Sequence, residues 1–172
     1  MRIRPDLRFT GIRGNVDTRL RKVREADGGI DATLLAAAGL ARLGADVPEA
    51  IFLSPEVMLP AVGQGLLAIE ARMDNFELEE LMVAIHHAPS AVQASAERAF
   101  LERLEGSCTT PMAGYATLSG HDVRLRGMVC GPDGDPWFED EITSPQAYSR
   151  RAGGALAERL LTLGAGRVIN AG

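Results

Sequence analysis

The spacing of apolar and polar positions changes partway along this chain, and the change marks two kinds of architecture. Leu7 to Ile12 reads as a strand, and Arg13-Gly14-Asn15 as a turn that caps a helix from about Val16 to Arg24, with Val16, Leu20 and Val23 on one face. Asp27-Gly28-Gly29 breaks the chain before Ile30 to Ala36, a mostly apolar run suited to a buried parallel strand. A short helix, Ala37 to Leu43, is ended by Gly44, and connecting structure runs to Pro60. Ala61-Val62-Gly63-Gln64-Gly65 is a second glycine turn, leading into Leu66 to Glu70 as a strand and Phe76 to His87 as an amphipathic helix.

Beyond residue 88 the pattern differs. Ser90 is placed to cap a helix from Ala91 to Glu105, whose Val92, Ala96, Ala99, Phe100 and Leu104 keep the helical period and which Gly106 ends. Tyr115 to Leu118 and Val123 to Cys130 read as strands, Gly131-Pro132-Asp133-Gly134 as a hairpin, and Trp137 to Ile142 as the returning strand. Ser144-Pro145 starts a last helix through Leu163, stopped by Gly164-Ala165-Gly166. The expected fold class is therefore α/β plus α+β. An incomplete β-α-β parallel-sheet domain is followed by a small domain with a three-stranded antiparallel sheet and helices. The first half has too few strands to cover both faces of a parallel sheet, so its remaining strands are expected upstream or from another chain.

Charge narrows the choice of partners. The net charge of −5 argues against a general nucleic-acid binder, yet residues 1–24 hold eight basic and two acidic residues, leaving −11 on the remainder. Only Lys22 of the 18 basic residues is a lysine, so nearly every cation is a planar fork able to grip a carboxylate or phosphate with two hydrogen bonds. A polyanionic small ligand fits this better than a membrane surface; the bland alternative for any single arginine is a solvated position. No run approaches a membrane span and the amino terminus lacks a signal-like apolar stretch, which gives a cytoplasmic expectation. Cys108 and Cys130 are expected to be reduced, and no Cys or His spacing suggests a metal site.

Cys108 is the thiol placed for chemistry. It follows a helix-ending glycine in Leu104-Glu105-Gly106-Ser107-Cys108-Thr109-Thr110-Pro111, whereas Cys130 lies in the apolar run Met128-Val129-Cys130 and reads as core. The negative end of the preceding helix dipole opposes thiolate formation, so a tether describes Cys108 better than a low-pKa turnover nucleophile; an inert turn residue is the alternative. Arg13 and Arg19 are six apart, one in the turn and one in the first turns of the helix, where backbone N–H groups also favour an anion. Gly63-Gln64-Gly65 either lets backbone approach a ligand, with Gln64 bonding it, or is a plain turn. His86 and His87 read as capping or solvated residues, and Asp17 as a helix-start residue.

Three of these segments, Ile12-Arg13-Gly14-Asn15-Val16-Asp17-Thr18-Arg19-Leu20, Leu59-Pro60-Ala61-Val62-Gly63-Gln64-Gly65, and Glu97-Arg98 through Gly106-Ser107-Cys108-Thr109-Thr110-Pro111, resemble the hydroxymethylbilane synthases, also called porphobilinogen deaminases. The similarity runs in order through the whole chain, Asp31-Ala32 and Ala38-Gly39-Leu40-Ala41-Arg42-Leu43-Gly44 included. The resemblance implies a tetrapyrrole-pathway transferase that joins four porphobilinogen units head to tail and releases ammonia at each step. It implies a covalent dipyrromethane cofactor on a thioether to Cys108, with Arg13 and Arg19, and Arg42 as a third, holding acetate and propionate groups; Gln64, read from its glycine turn, is a further candidate substrate contact. Loss of ammonia from an aminomethylpyrrole leaves a strongly electrophilic azafulvene, so the tethering thiol need not be acidic.

The resemblance also implies a division of the chain and an incomplete site. Residues 1–59 correspond to the later part of a second, α/β domain with the form of half a periplasmic-binding-protein lobe. Residues 60–87 correspond to a return segment and hinge belonging to the first domain, and residues 88–172 to the carboxyl-terminal domain that carries the cysteine. The family's catalytic aspartate, which assists at the pyrrole nitrogen, has no counterpart here, so no catalytic residue is assigned and the isolated chain is expected to be inactive. The expected partners are porphobilinogen, the growing pyrrole chain and an amino-terminal half polypeptide, with no nucleic acid and no membrane. A non-catalytic anion-binding module and an inactive remnant are the alternatives; Cys108 is the residue that a binding module would not need.

Overall fold

A computed structural model describes residues 4–72, 74–105 and 110–169. The chain forms two compact units, the first ending at Leu53 and the second starting at Ser54.

In the first unit, α1 (Val16–Arg24) begins where Asn15 leaves helical geometry and its side chain accepts from the Thr18 N–H, and α2 (Ala37–Leu43) stops at Gly44 in the left-handed region. Both helices stand where the periodicity puts them. The strands do not: Leu7 to Ile12 and Ile30 to Ala36 lie in no helix or ladder. Leu66 to Glu70, in the second unit, is likewise unpaired. A helix closes its hydrogen bonds within its own residues, but a parallel strand needs a neighbour brought in by a crossover, and without one an apolar run stays unpaired. Phe9, Leu34 and Leu67 are accordingly exposed.

The second unit holds α3 (Phe76–Ile85), α4 (Ala88–Arg103), β1 (Met112–Ser119), β2 (Asp122–Cys130), β3 (Trp137–Pro145), α5 (Ser149–Leu163) and α6 (Gly166–Ile169). The three strands form the expected antiparallel meander in the order β1-β2-β3, with Ala116 opposite Leu125 and Leu125 opposite Ile142. Along β2, Val123, Leu125, Gly127 and Val129 are buried while Arg124 faces solvent, the two-residue period of a sheet with one covered face. Helices α4 and α5 supply the cover, bringing Phe100, Leu104, Leu156 and Leu160 into a core with Ala116, Val123, Leu125 and Val129. Gly114 and Gly127, directly opposite in the ladder, make room for one ring: a Cβ on Gly127 would meet Phe100 Cζ at 2.6 Å. Phe100 is fully buried, and removing such a ring costs about 3–5 kcal/mol.

Several boundaries differ from the sequence reading: α3 stops at Ile85 rather than His87, β1 starts at Met112 rather than Tyr115, and α4 ends at Arg103 rather than Glu105. Helix α4 starts at Ala88, and its cap is His87, whose Nδ1 accepts from the Ser90 N–H at 3.4 Å and meets Ser90 Oγ at 2.8 Å. Pro89, without an N–H, fits the first helical turn, so the helix begins before the serine that looked like its cap. Helix α5 starts at Ser149 after a short 3-10 turn from Gln146 to Tyr148 rather than directly at Pro145, because β3 runs on to Pro145.

Candidate cofactor and substrate site

Asn15, Gly14 and Arg19 together build the amino-terminal end of α1. Gly14 has φ near +120°, and a Cβ there would lie 2.7 Å from Thr18 Cγ2, so only glycine suits this turn. Arg19 folds back on it, its Nε donating to the Gly14 carbonyl at 2.9 Å. The two arginines read as a pair thus converge on one turn, Arg13 exposed within it and Arg19 half-buried against it. One expected anion donor is already committed, since the Thr18 N–H is taken by Asn15.

Ion pairing sorts the cations of the first unit. Arg4 pairs with Asp6, Arg21 with Glu25, and Arg24 with Glu49. Among the described residues, Arg8, Arg13, Arg19 and Arg42 have no carboxylate partner within salt-bridge distance. Arg42 stands exposed in the last turn of α2. The arginines singled out by their motifs are therefore among those whose charge the unit itself leaves uncompensated, the chemistry a multiply carboxylated ligand requires.

Gln64 belongs to the second unit. It sits exposed at the tip of the turn from Val62 to Gly65, with Gly63 at φ +75° and the Gln64 N–H bonded to the Ala61 carbonyl at 3.0 Å. Cys108 and Gly106, the glycine expected to stop the helix, lie outside the described residues. The chain on either side is fixed: Leu104 is buried in the core, Glu105 takes the left-handed conformation that ends α4, and the Pro111 carbonyl accepts from the Cys130 N–H at 3.0 Å. Cys130 itself is half-buried at the end of β2, and burial pushes its thiol pKa up, which suits an inert packing residue.

Glu97 is the residue whose role the sequence reading missed. On α4 and 5% exposed, it accepts from the Gly63 N–H at 2.8 Å through Oε2 and from the Ala116 N–H at 2.9 Å through Oε1. Burial pushes its carboxyl pKa up, and the two backbone bonds pull it down by less. A signal was present, because Gln93, Glu97, Phe100 and Leu104 form one stripe at helical spacing, and a carboxylate inside a buried stripe must find donors.

Residues 1–80 match the family model described as "Porphobilinogen deaminase, dipyromethane cofactor binding domain", and residues 91–162 match "Porphobilinogen deaminase, C-terminal domain". The porphobilinogen deaminases of Syntrophotalea carbinolica and Brevibacillus brevis are each 44% identical, over 98% and 96% of this chain and 53% of their own length. That of Oceanobacillus iheyensis is 44% identical over 97% of the chain and again 53% of its own length. The chain spans about half the length of the curated relatives it matches. With both family domains matched in order along one chain, the second onto a unit that folds as a helix-covered antiparallel sheet, the chain belongs to the porphobilinogen deaminase family.

Proposed function

We propose that this chain is the carboxyl-terminal working part of a porphobilinogen-polymerising transferase of tetrapyrrole biosynthesis, one that makes hydroxymethylbilane from four porphobilinogen units with release of ammonia. The observation that carries the proposal is the ordered match of both family domains along the chain. In this reading Cys108 holds the dipyrromethane by a thioether, and Arg13 and Arg19, with Arg42 and Gln64 as further contacts, grip its carboxylates and those of the growing chain. Bound there, the dipyrromethane supplies the primer onto which pyrroles are added. The donor set suits such a group: Arg13, Arg19 and Arg42 carry charge that no described carboxylate neutralises, and Arg19 is held at the Arg13 turn by its bond to Gly14.

The same reading divides the chain into a later part of the α/β domain (1–59), a return segment of the first domain (60–87) and the tether domain (88–172). It makes the unpaired runs at 7–12, 30–36 and 66–70 strands of parallel sheets, of the kind seen in half a periplasmic-binding-protein lobe, completed by an amino-terminal half polypeptide. The apolar exposure of Phe9, Leu34 and Leu67 supports this, since exposed apolar side chains on unpaired strands are a face in want of cover. The carboxylate that assists at the pyrrole nitrogen would come from that half. Bilane formation from porphobilinogen tests the proposal: the chain alone should produce none, and addition of the amino-terminal half should restore production. Steady turnover by the chain alone would refute the division of labour.

A further inference from the structure

The free edge of β1 is closed by a device that also grips the Gln64 turn. Strand β1 pairs only with β2 among the described residues, so the backbone groups of Gly114 and Ala116 on its other side need partners. The Gly114 N–H donates to the Pro60 carbonyl at 3.1 Å, the Ala116 N–H to Glu97 Oε1 at 2.9 Å, and Gln93 Nε2 donates to the Ala116 carbonyl at 2.7 Å. The other oxygen of Glu97 takes the Gly63 N–H. Val62, between these two anchors, packs against the core, and a Cβ on Gly114 would touch its Cγ2 at 2.9 Å.

We propose that Glu97 is a positioning residue, its buried carboxylate locking the Gly63-Gln64-Gly65 turn to strand β1 so that Gln64 is presented from a fixed base. A carboxylate is what this place requires, because two N–H donors converge on it and only a group with two acceptor oxygens satisfies both. The sheet edge alone would need only the Oε1 bond; the bond to Gly63 does nothing for the ladder and acts on the turn. The consequence for Gln64 rests on its proposed role as a ligand contact, whereas the lock itself does not.

Amide hydrogen exchange in the full chain, resolved by NMR, tests the lock with Glu97→Gln. A carboxamide keeps one acceptor, and the ladder-held strand retains it while the turn lets go. Gly63 and Gln64 should then exchange faster by on the order of tenfold, the factor that one lost buried acceptor is worth, while Ala116 and the β2 amides keep their protection. Glu97→Asp, one methylene too short to span both donors, should do the same and serves if the glutamine variant fails to fold. An unchanged Gly63, or equal acceleration throughout β1, β2 and β3, overturns the proposal, the latter making Glu97 a stability residue only. Bilane formation by the unsubstituted chain with the amino-terminal half is a separate reading: its failure removes the ligand role of Gln64 and leaves the lock to the exchange data.

Discussion

Glu97 shows how one buried charge reports on its surroundings. Burial raises its carboxyl pKa above the ordinary glutamate value, so the folded chain holds the proton more tightly than the unfolded chain. The stability it contributes is fully present below the unfolded pKa and is lost as pH rises through the folded one. Urea midpoints measured from about pH 4 upward should therefore show the stability of the parent falling relative to Glu97→Gln as pH rises through the raised carboxyl pKa. A difference that moves in favour of the parent with rising pH would mean that the two N–H bonds outweigh desolvation. At this scale the sequence was legible where a residue's role is local. Asn15 caps α1 and Gly14 makes its turn because the partners lie within four residues. The stripe marked Glu97 as a carboxylate in need of donors, but its partners were opaque because Gly63 and Ala116 are 34 and 19 positions away.

The elements divide by whether they complete their own hydrogen bonds. Helices α1, α2 and α5 and the β1-β2-β3 meander follow from periodicity and turn residues, because helices are self-contained and hairpins bring their neighbour with them. The runs expected as parallel strands remained unpaired for the opposite reason, although their apolar character was legible. Adjacent glycines in α5 make a sharper test of the packing. A Cβ on Gly153 would collide with the Ala96 carbonyl and come within 2.9 Å of Ala99 Cβ and Phe100 N, forcing α4 and α5 apart, whereas one on Gly154 meets nothing within 4 Å. Gly153→Ala should destabilise by roughly 1–3 kcal/mol and Gly154→Ala should stabilise by about 0.5–1 kcal/mol, compared by denaturant midpoints. The exposed pairs joining the same helices, Arg103–Glu158 and Arg150–Glu102, contribute little beside that contact.

For the whole molecule, the two units differ in how much each satisfies by itself. The second has a closed core and a capped sheet edge; in the first no described helix residue is buried, and apolar side chains as large as Phe9, Ile51 and Phe52 are exposed. That contrast, with a chain spanning about half the length of its relatives, is why the account gives the activity to an assembly and the tether to this chain. Its central claim is the thioether at Cys108, and the most direct test is the intact mass of the chain produced with the amino-terminal half and porphobilinogen, beside Cys108→Ser. The account predicts an added mass of two pyrrole units that colours with Ehrlich's reagent and is missing from the serine variant. An unmodified parent chain under those conditions, or the same increment on Cys108→Ser, would contradict it.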